Sequence, residues 1–307
     1  MARPVCARNP RIRARRPRRI HRRRPTRRRP HGRHREGVIP DKRLGQHFLT
    51  DRNILQRIVD ALEPAPDDVV LEIGAGKGSL TEQLLARGLR VIAIEKDRRL
   101  ARECGVRNAE CGMDGLTVVP GDALRLDWHA LITPHSTLRT PHFKIVGNIP
   151  YAITSPLIDK ALTPPLPARI VFLMQAEVAD RLAAPPGSKT YGALSVGVQA
   201  VCRVERLFTV RAGAFTPPPK VQSVLVRLTP LAPPLVGPDE LVAFRAFVTA
   251  CFTRRRKQLR NVLVAATGRR AAQVSAGLAT LEVDPAARPE TLGPEVFVRL
   301  LRWTAGL

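Results

Sequence analysis

Four short apolar runs, VVLEI, RVIAIE, FKIVGN and RIVFLMQ, recur between positions 69 and 175, and each carries a polar residue at or next to its end. Runs this short and this apolar read as strands buried on both faces. LTVVPGDAL adds another strand that runs into Asp122. Between the strands lie helical patterns. LTDRNILQRIVDAL gathers Ile54, Leu55, Ile58, Val59 and Leu62 on one face, with Thr50 or Asp51 as the cap. SLTEQLLAR turns Leu80, Leu84 and Leu85 inward and stops at Gly88, and DRRLARECGV forms a further helix. Strands alternating with helices predict an α/β fold, a parallel sheet wound on both faces. Two late strands are expected around SVGVQAVCRV and VQSVLVRL. The Pro-rich stretch TPLAPPLVGPDE reads as a linker. Beyond it the pattern is helical only: LVAFRAFVTACF, a basic helix TRRRKQLRNVL, and two or three short helices. The expected organisation is a basic extension over residues 1–41, an α/β domain over 42–230 and a small all-helical domain over 231–307.

Charge narrows the classes of partner. The 307 residues hold 51 Lys and Arg against 26 Asp and Glu, a net charge of +25. Sixteen of the arginines and no acidic residue fall between Met1 and Arg35, so 35 basic residues still face 26 acidic ones in the remainder. Nucleic acid leads the candidate partners. The arginine-rich segment has no hydrophobic period and is expected to be disordered. Three readings of it compete: an RNA-binding arm, an organellar transit peptide, and a start codon assigned too early. No apolar run approaches membrane-spanning length. The five cysteines, Cys6, Cys104, Cys111, Cys202 and Cys251, show no CxxC spacing, which argues against a disulfide framework or a zinc site and for a reducing compartment.

VLEIGAGKG delivers a strand into Gly74, Gly76 and Gly78, where glycines permit a sharp turn and close approach to a ligand. A dinucleotide fingerprint needs glycine where Ser79 stands, and a phosphate loop needs GxxxxGK with Ser or Thr, so neither fits. Glu72 beside the loop would repel a pyrophosphate and suit a cationic head group. Glu95 can accept both hydroxyls of a ribose, and Asp122 the exocyclic amine of an adenine. One ligand, S-adenosylmethionine (SAM), satisfies all three acids. In FKIVGNIPY, Pro150 fixes a turn that aims the Asn148 amide and the Ile149 carbonyl into the cleft as acceptors for a base amine, while Tyr151 offers a stacking face. Methyl transfer to a delocalised amine calls for such orientation rather than for a strong base. Phe215, in a stiff proline loop, is expected at the cleft as well. Arg254, Arg255, Arg256, Lys257 and Arg260 are expected to track an RNA backbone.

GQHFLTD, EIGAGKG, the acids Glu95 and Asp122, NIPY, SKTYGALS and FTPPPKVQS, in this order, resemble the rRNA adenine N6-dimethyltransferase family from about Lys42 to the C-terminus. The resemblance implies a Rossmann-like class I SAM-dependent methyltransferase with a small C-terminal all-helical domain. It implies that His47, Leu49, Gly74, Glu95, Asp122 and Asn148 hold the donor. It also implies that Asn148, Tyr151 and Phe215 serve the flipped target base, without a metal. SKTYGALS and PPPK are similar to the branch that dimethylates two adjacent adenosines in a hairpin loop near the 3′ end of 16S rRNA. That branch implies an immature small subunit as partner, a cytoplasmic monomer, and no membrane. The alternatives are the large-subunit branch that confers macrolide resistance and a non-catalytic assembly factor. The chain departs from the family pattern at His47, where Asn is usual, and at Gln222, where Asp is usual.

Overall fold

The computed structural model describes residues 46–66, 68–110, 114–135 and 143–306. The chain divides into residues 1–38 and 39–307, and every described residue belongs to the second unit. The readings of the arginine-rich extension therefore lie outside the described residues.

In chain order the elements are β1 (Phe48–Leu49), α1 (Arg52–Ala61), β2 (Val69–Ile73), α2 (Ser79–Leu85), β3 (Arg90–Glu95), α3 (Arg98–Glu110) and β4 (Leu116–Pro120). Then come α4 (Trp128–Ile132), β5 (Phe143–Asn148), α5 (Thr154–Ala161), β6 (Arg169–Gln175), α6 (Ala176–Leu182) and α7 (Ala193–Gln199). Next are β7 (Cys202–Val210), β8 (Phe215–Thr216) and β9 (Ser223–Pro230). Helices α8 (Leu241–Phe252), α9 (Leu259–Thr267), α10 (Ala271–Thr280) and α11 (Pro294–Ala305) follow. Among the described residues, seven strands form one sheet in the order β4-β3-β2-β5-β6-β9-β7, and β1 pairs with β8 in a two-stranded sheet.

The five strands from β4 to β6 run parallel, but β9 is antiparallel to both β6 and β7. The parallel sheet expected from the alternating strands and helices is found in these five, and the two late strands add an antiparallel edge to it. No helix crosses over between β7 and β9, and a return without such a crossover gives an antiparallel pair. A correction concerns SVGVQAVCRV. Ser195–Gln199 is helical and the strand begins at Cys202. The helix is covered by neighbouring elements, with Ser195, Val196 and Val198 buried. An element apolar on most sides loses the periodicity that separates helix from strand. Side chains hold it in place. Gly192 N donates to Ser195 Oγ at 3.1 Å, and Gln199 Nε2 donates to the carbonyls of Leu182 and Ala184 at 2.7 and 2.9 Å.

Strand residues alternate between two apolar layers, as the period of two requires. Leu71, Ile73, Ile145, Phe172 and Val226 join one cluster, which continues through α7 to Phe244, Leu263 and Leu300 of the C-terminal helices. Val70, Val91, Val146, Val171 and Leu225 join the other, with Leu55 and Val59 of α1 and Leu84 of α2. Each fully buried side chain of this size contributes about 1.5–3 kcal/mol. Helix α1 starts at Asp51, whose carboxylate accepts from Asn53 N and Ile54 N at 2.9 and 3.2 Å. The three described cysteines, Cys104, Cys202 and Cys251, are buried free thiols. No helix among the described residues is long and apolar enough to cross a membrane.

Candidate active site

The carboxyl ends of β2, β3 and β5 open onto one cavity of about 240 Å³. After Ile73 the chain turns through Gly74 at φ +78°, Gly76 at φ +56° and Gly78 at φ +81°, a region side chains rarely adopt. A Cβ on Gly76 would stand 3.2 Å from the Phe48 ring, so a side chain there would crowd the cavity wall. The turn is held by main-chain bonds: Gly74 N donates to Ile94 O at 2.8 Å.

Glu95 ends β3 and is only 6% exposed. Gly76 N donates to its Oε2 and Asp97 N to its Oε1, each at 2.8 Å. Burial pushes its pKa above the ordinary carboxylate value, and the main-chain donors oppose that rise. Each oxygen keeps a lone pair for a hydroxyl of a ligand. Asp122 follows β4. Its Oδ1 accepts from Leu124 N at 3.0 Å and its Oδ2 from Lys96 Nζ at 2.9 Å. The Lys96 ammonium holds the Asp122 carboxyl below its usual range. Glu72, inside β2, is 1% exposed and accepts from Thr81 Oγ1 at 2.6 Å. Burial pushes it up to about 7, with the Thr81 bond opposing and the Glu95 charge adding to the rise.

At the end of β5, Asn148 Nδ2 donates to the His47 carbonyl at 2.7 Å. That bond fixes which end of the amide is nitrogen and leaves Oδ1 as the acceptor. Ile149 N donates to Leu173 O at 3.1 Å, which ties the NIPY turn to β6. The Tyr151 hydroxyl lies 2.7 Å from Ser223 Oγ, at the start of β9. Burial raises the pKa of the phenol, and the Ser223 bond opposes it. The His47 ring stacks on Tyr151 with centroids 5.9 Å apart and planes 29° apart.

The structure brings His47, Leu49, Gly74, Glu95, Asp122, Asn148 and Tyr151 to this single cavity. It does not bring Phe215 there. Phe215 is 3% exposed, pairs with Leu49 in the β1–β8 ladder and packs into the α1–α2 layer of the core. The aromatic ring that the sequence reading missed is Phe48, one position along the same ladder, which lines the cavity with Lys77 Nζ 5.2 Å from its centroid. Lys96 was also missed; its only signal was its place next to Glu95. Gln222 is exposed, and its main-chain carbonyl accepts from Ala176 N at 3.0 Å.

The expected basic helix is corrected too. Arg254–Lys257 form a turn, and α9 starts at Leu259, where Leu259 N and Arg260 N donate to Ala287 O and Pro285 O. Those acceptors satisfy two of the unpaired N–H groups of a helix start. Arg254, Arg256, Lys257 and Arg260 are exposed. Arg255 is not free for a ligand: its Nε pairs with Glu290 at 2.7 Å and its guanidinium donates to Lys189 O at 3.3 Å.

This strand order, with its one reversed strand and a ligand-sized cavity at the carboxyl ends beside a glycine turn, defines a class I SAM-dependent methyltransferase fold. The chain belongs to the ribosomal RNA adenine dimethylase family, whose profile matches residues 40–304. It is 42% identical over 272 residues to the ribosomal RNA small subunit methyltransferase A of Hahella chejuensis, covering 88% of this chain and 95% of that one. A dimethyladenosine transferase of Plasmodium falciparum superposes with a TM-score of 0.72 at 30% identity, covering 85% of this chain and 98% of the other. A 23S rRNA methyltransferase superposes with a TM-score of 0.63 at 29% identity, over 84% and 99% of the two chains.

Proposed function

We propose that this protein transfers methyl groups from SAM to the N6 amines of two adjacent adenosines in a hairpin loop near the 3′ end of small-subunit rRNA, within an immature subunit. The observation that carries this reading is the Asn148 amide, oriented by His47 and standing in the same cavity as Glu95 and Asp122. The relatives named as small subunit methyltransferases support the choice of subunit. The protein acts as a monomer in the cytoplasm, where that subunit is assembled.

The residues present fit the donor. The bare Cα atoms of Gly74 and Gly76 let a ligand approach the backbone, Glu95 accepts its ribose hydroxyls and Asp122 its adenine amine. When bound, SAM supplies a methyl carbon made electrophilic by its sulfonium. Asn148 Oδ1 and the Ile149 carbonyl accept hydrogens of the target amine and turn its lone pair toward that carbon. Tyr151 stacks on the flipped base and holds the angle of approach. Glu95 and Asp122 would hold the donor so that its sulfonium could give up the methyl group to that nitrogen and leave as a neutral thioether, and the methylated amine would shed its proton to water. Catalysis thus rests on orientation and electrostatics. Arg254, Arg256, Lys257 and Arg260 contact phosphates of the RNA, each adding to the salt dependence of binding.

The decisive test is methyl incorporation from labelled SAM into defined ribosomal particles. Label is expected in adenines of small subunits that lack the modification. Label in naked large-subunit rRNA instead would transfer the protein to the other branch. Binding to small subunits without label would make it an assembly factor.

A further inference from the structure

The turn that carries Asp122 is closed by its own main chain and held again from behind. Arg125 N and Leu126 N donate to the Asp122 carbonyl at 2.9 and 3.1 Å, and Leu124 N donates to the Asp122 carboxylate at 3.0 Å. Two further carbonyls of the turn accept from side chains that do not line the cavity. Trp128 Nε1 of α4 donates to Ala123 O at 2.8 Å. Lys160 Nζ of α5, 36 positions along the chain, donates to Leu124 O at 2.9 Å. The same ammonium lies 5.4 Å from the centroid of the Trp128 ring, so the two donors also hold each other. Asp127 caps α4 by accepting from Ala130 N at 3.1 Å, which fixes where the indole stands. The indole is buried in one apolar cluster with Leu157, Ile158 and Ala161 of α5.

We propose that Trp128 and Lys160 are positioning residues for the methyl donor: they aim the Asp122 carboxylate at the adenine amine without touching the ligand. The inference rests on the reading of Asp122 given above. Two partners hold that carboxylate. Lys96 comes from solvent with 58% of its side chain exposed, and such an ion pair sets little direction. Direction comes from the Leu124 N–H. That N–H shares one rigid peptide plane with the Ala123 carbonyl, so the indole grips the far end of the plane that grips Asp122. Lys160 fixes the next plane through Leu124 O. A binding group aimed to within about 0.5 Å depends on such supports.

Calorimetric affinities of the full-length chain for S-adenosylhomocysteine and S-inosylhomocysteine test the proposal. The second ligand carries an oxygen in place of the amine and would set it against a carboxylate. The native chain is expected to prefer the adenine ligand by about tenfold or more. Trp128→Phe keeps a ring and loses the N–H, and Lys160→Met keeps a long stem and loses the ammonium. Each is expected to weaken the adenine ligand by about three- to tenfold and to leave the inosine ligand within about twofold. Lys160→Arg retains a donor and is expected to recover most of the preference. On an Asp122→Ala background neither substitution should narrow the preference further, because both act through that carboxylate. An equal loss for the two ligands would assign both residues to the fold alone and overturn the proposal, as would an undiminished preference in either variant. Should Trp128→Phe fail to fold, the Lys160 pair decides, since that position is only half-buried. A native chain that binds the two ligands equally removes the reading of Asp122 itself. That result precedes any substitution, so the two failures are distinguishable.

Discussion

At the proposed donor end of the cleft, Glu95 takes its hydrogen bonds from Gly76 and Asp97, 19 and 2 positions away; on the side proposed for the target base, Tyr151, Asn148 and the adjoining His47 find partners 72, 101 and 170 positions away. The first region is one strand–turn–helix–strand unit whose parallel ladders carry its acids to a common edge. The second is closed by segments from three distant parts of the chain. The difference predicts how the two ends fail. Changes at the donor end should act on ligand affinity and on the stability of the unit itself. Changes on the target-base side should act on turnover while donor binding survives.

The largest effect is expected for Asn148→Ala, which removes the amide acceptor proposed to hold the reacting nitrogen. Methyl transfer should fall by about a hundredfold or more, with donor affinity reduced far less. Substantial turnover in that variant would break the division between the two ends. Next comes Glu95→Ala. Losing a charged acceptor of two hydroxyls should weaken SAM binding by about ten- to a hundredfold, measured by calorimetry, and unchanged affinity would remove Glu95 from the donor site.

Glu72 sharpens the comparison through pH. Its carboxyl is raised from 4.5 to about 7 in the folded chain. The folded protein therefore holds a proton that the unfolded chain has released between those values, and stability attributable to this group is lost as pH rises through the window. Thermal unfolding should show the native chain losing about 2–3 kcal/mol relative to Glu72→Gln between pH 5 and pH 8. A parallel pH profile in the two proteins would show that Glu72 stays ionised. The smallest effect belongs to the exposed turn. Arg256→Ala should lower the salt slope of RNA binding by about one and leave SAM affinity unaltered. Arg255→Ala should instead reduce stability, because that side chain is tied to Glu290 and Lys189.

Strands, glycine turn and strand-end acids were legible because each depends on residues close in sequence. An apolar run followed by EIGAGKG leaves few folds open, and Glu95 and Asp122 fall at strand ends whatever packs above them. The late elements were less legible. SVGVQ is buried as a helix by neighbours that its own pattern does not specify. The four basic residues after Thr253 look helical in isolation, yet acceptors at Pro285 and Ala287 set the helix start beyond them.

The aromatic residues mark the boundary between the two kinds of information. Local sequence led to the expectation that the ring of AFTPPP reaches the cleft, and determined that a parallel α/β edge would gather the acids. Which ring reaches the cavity was decided by tertiary pairing: Phe48 lies opposite Thr216 and Leu49 opposite Phe215. Neighbouring residues on a strand point to opposite faces, so a shift of one residue would have put both rings on the same face instead of one toward the cavity and one into the core. Register between segments more than 160 positions apart is a property of the closed fold, because no local preference distinguishes the two pairings.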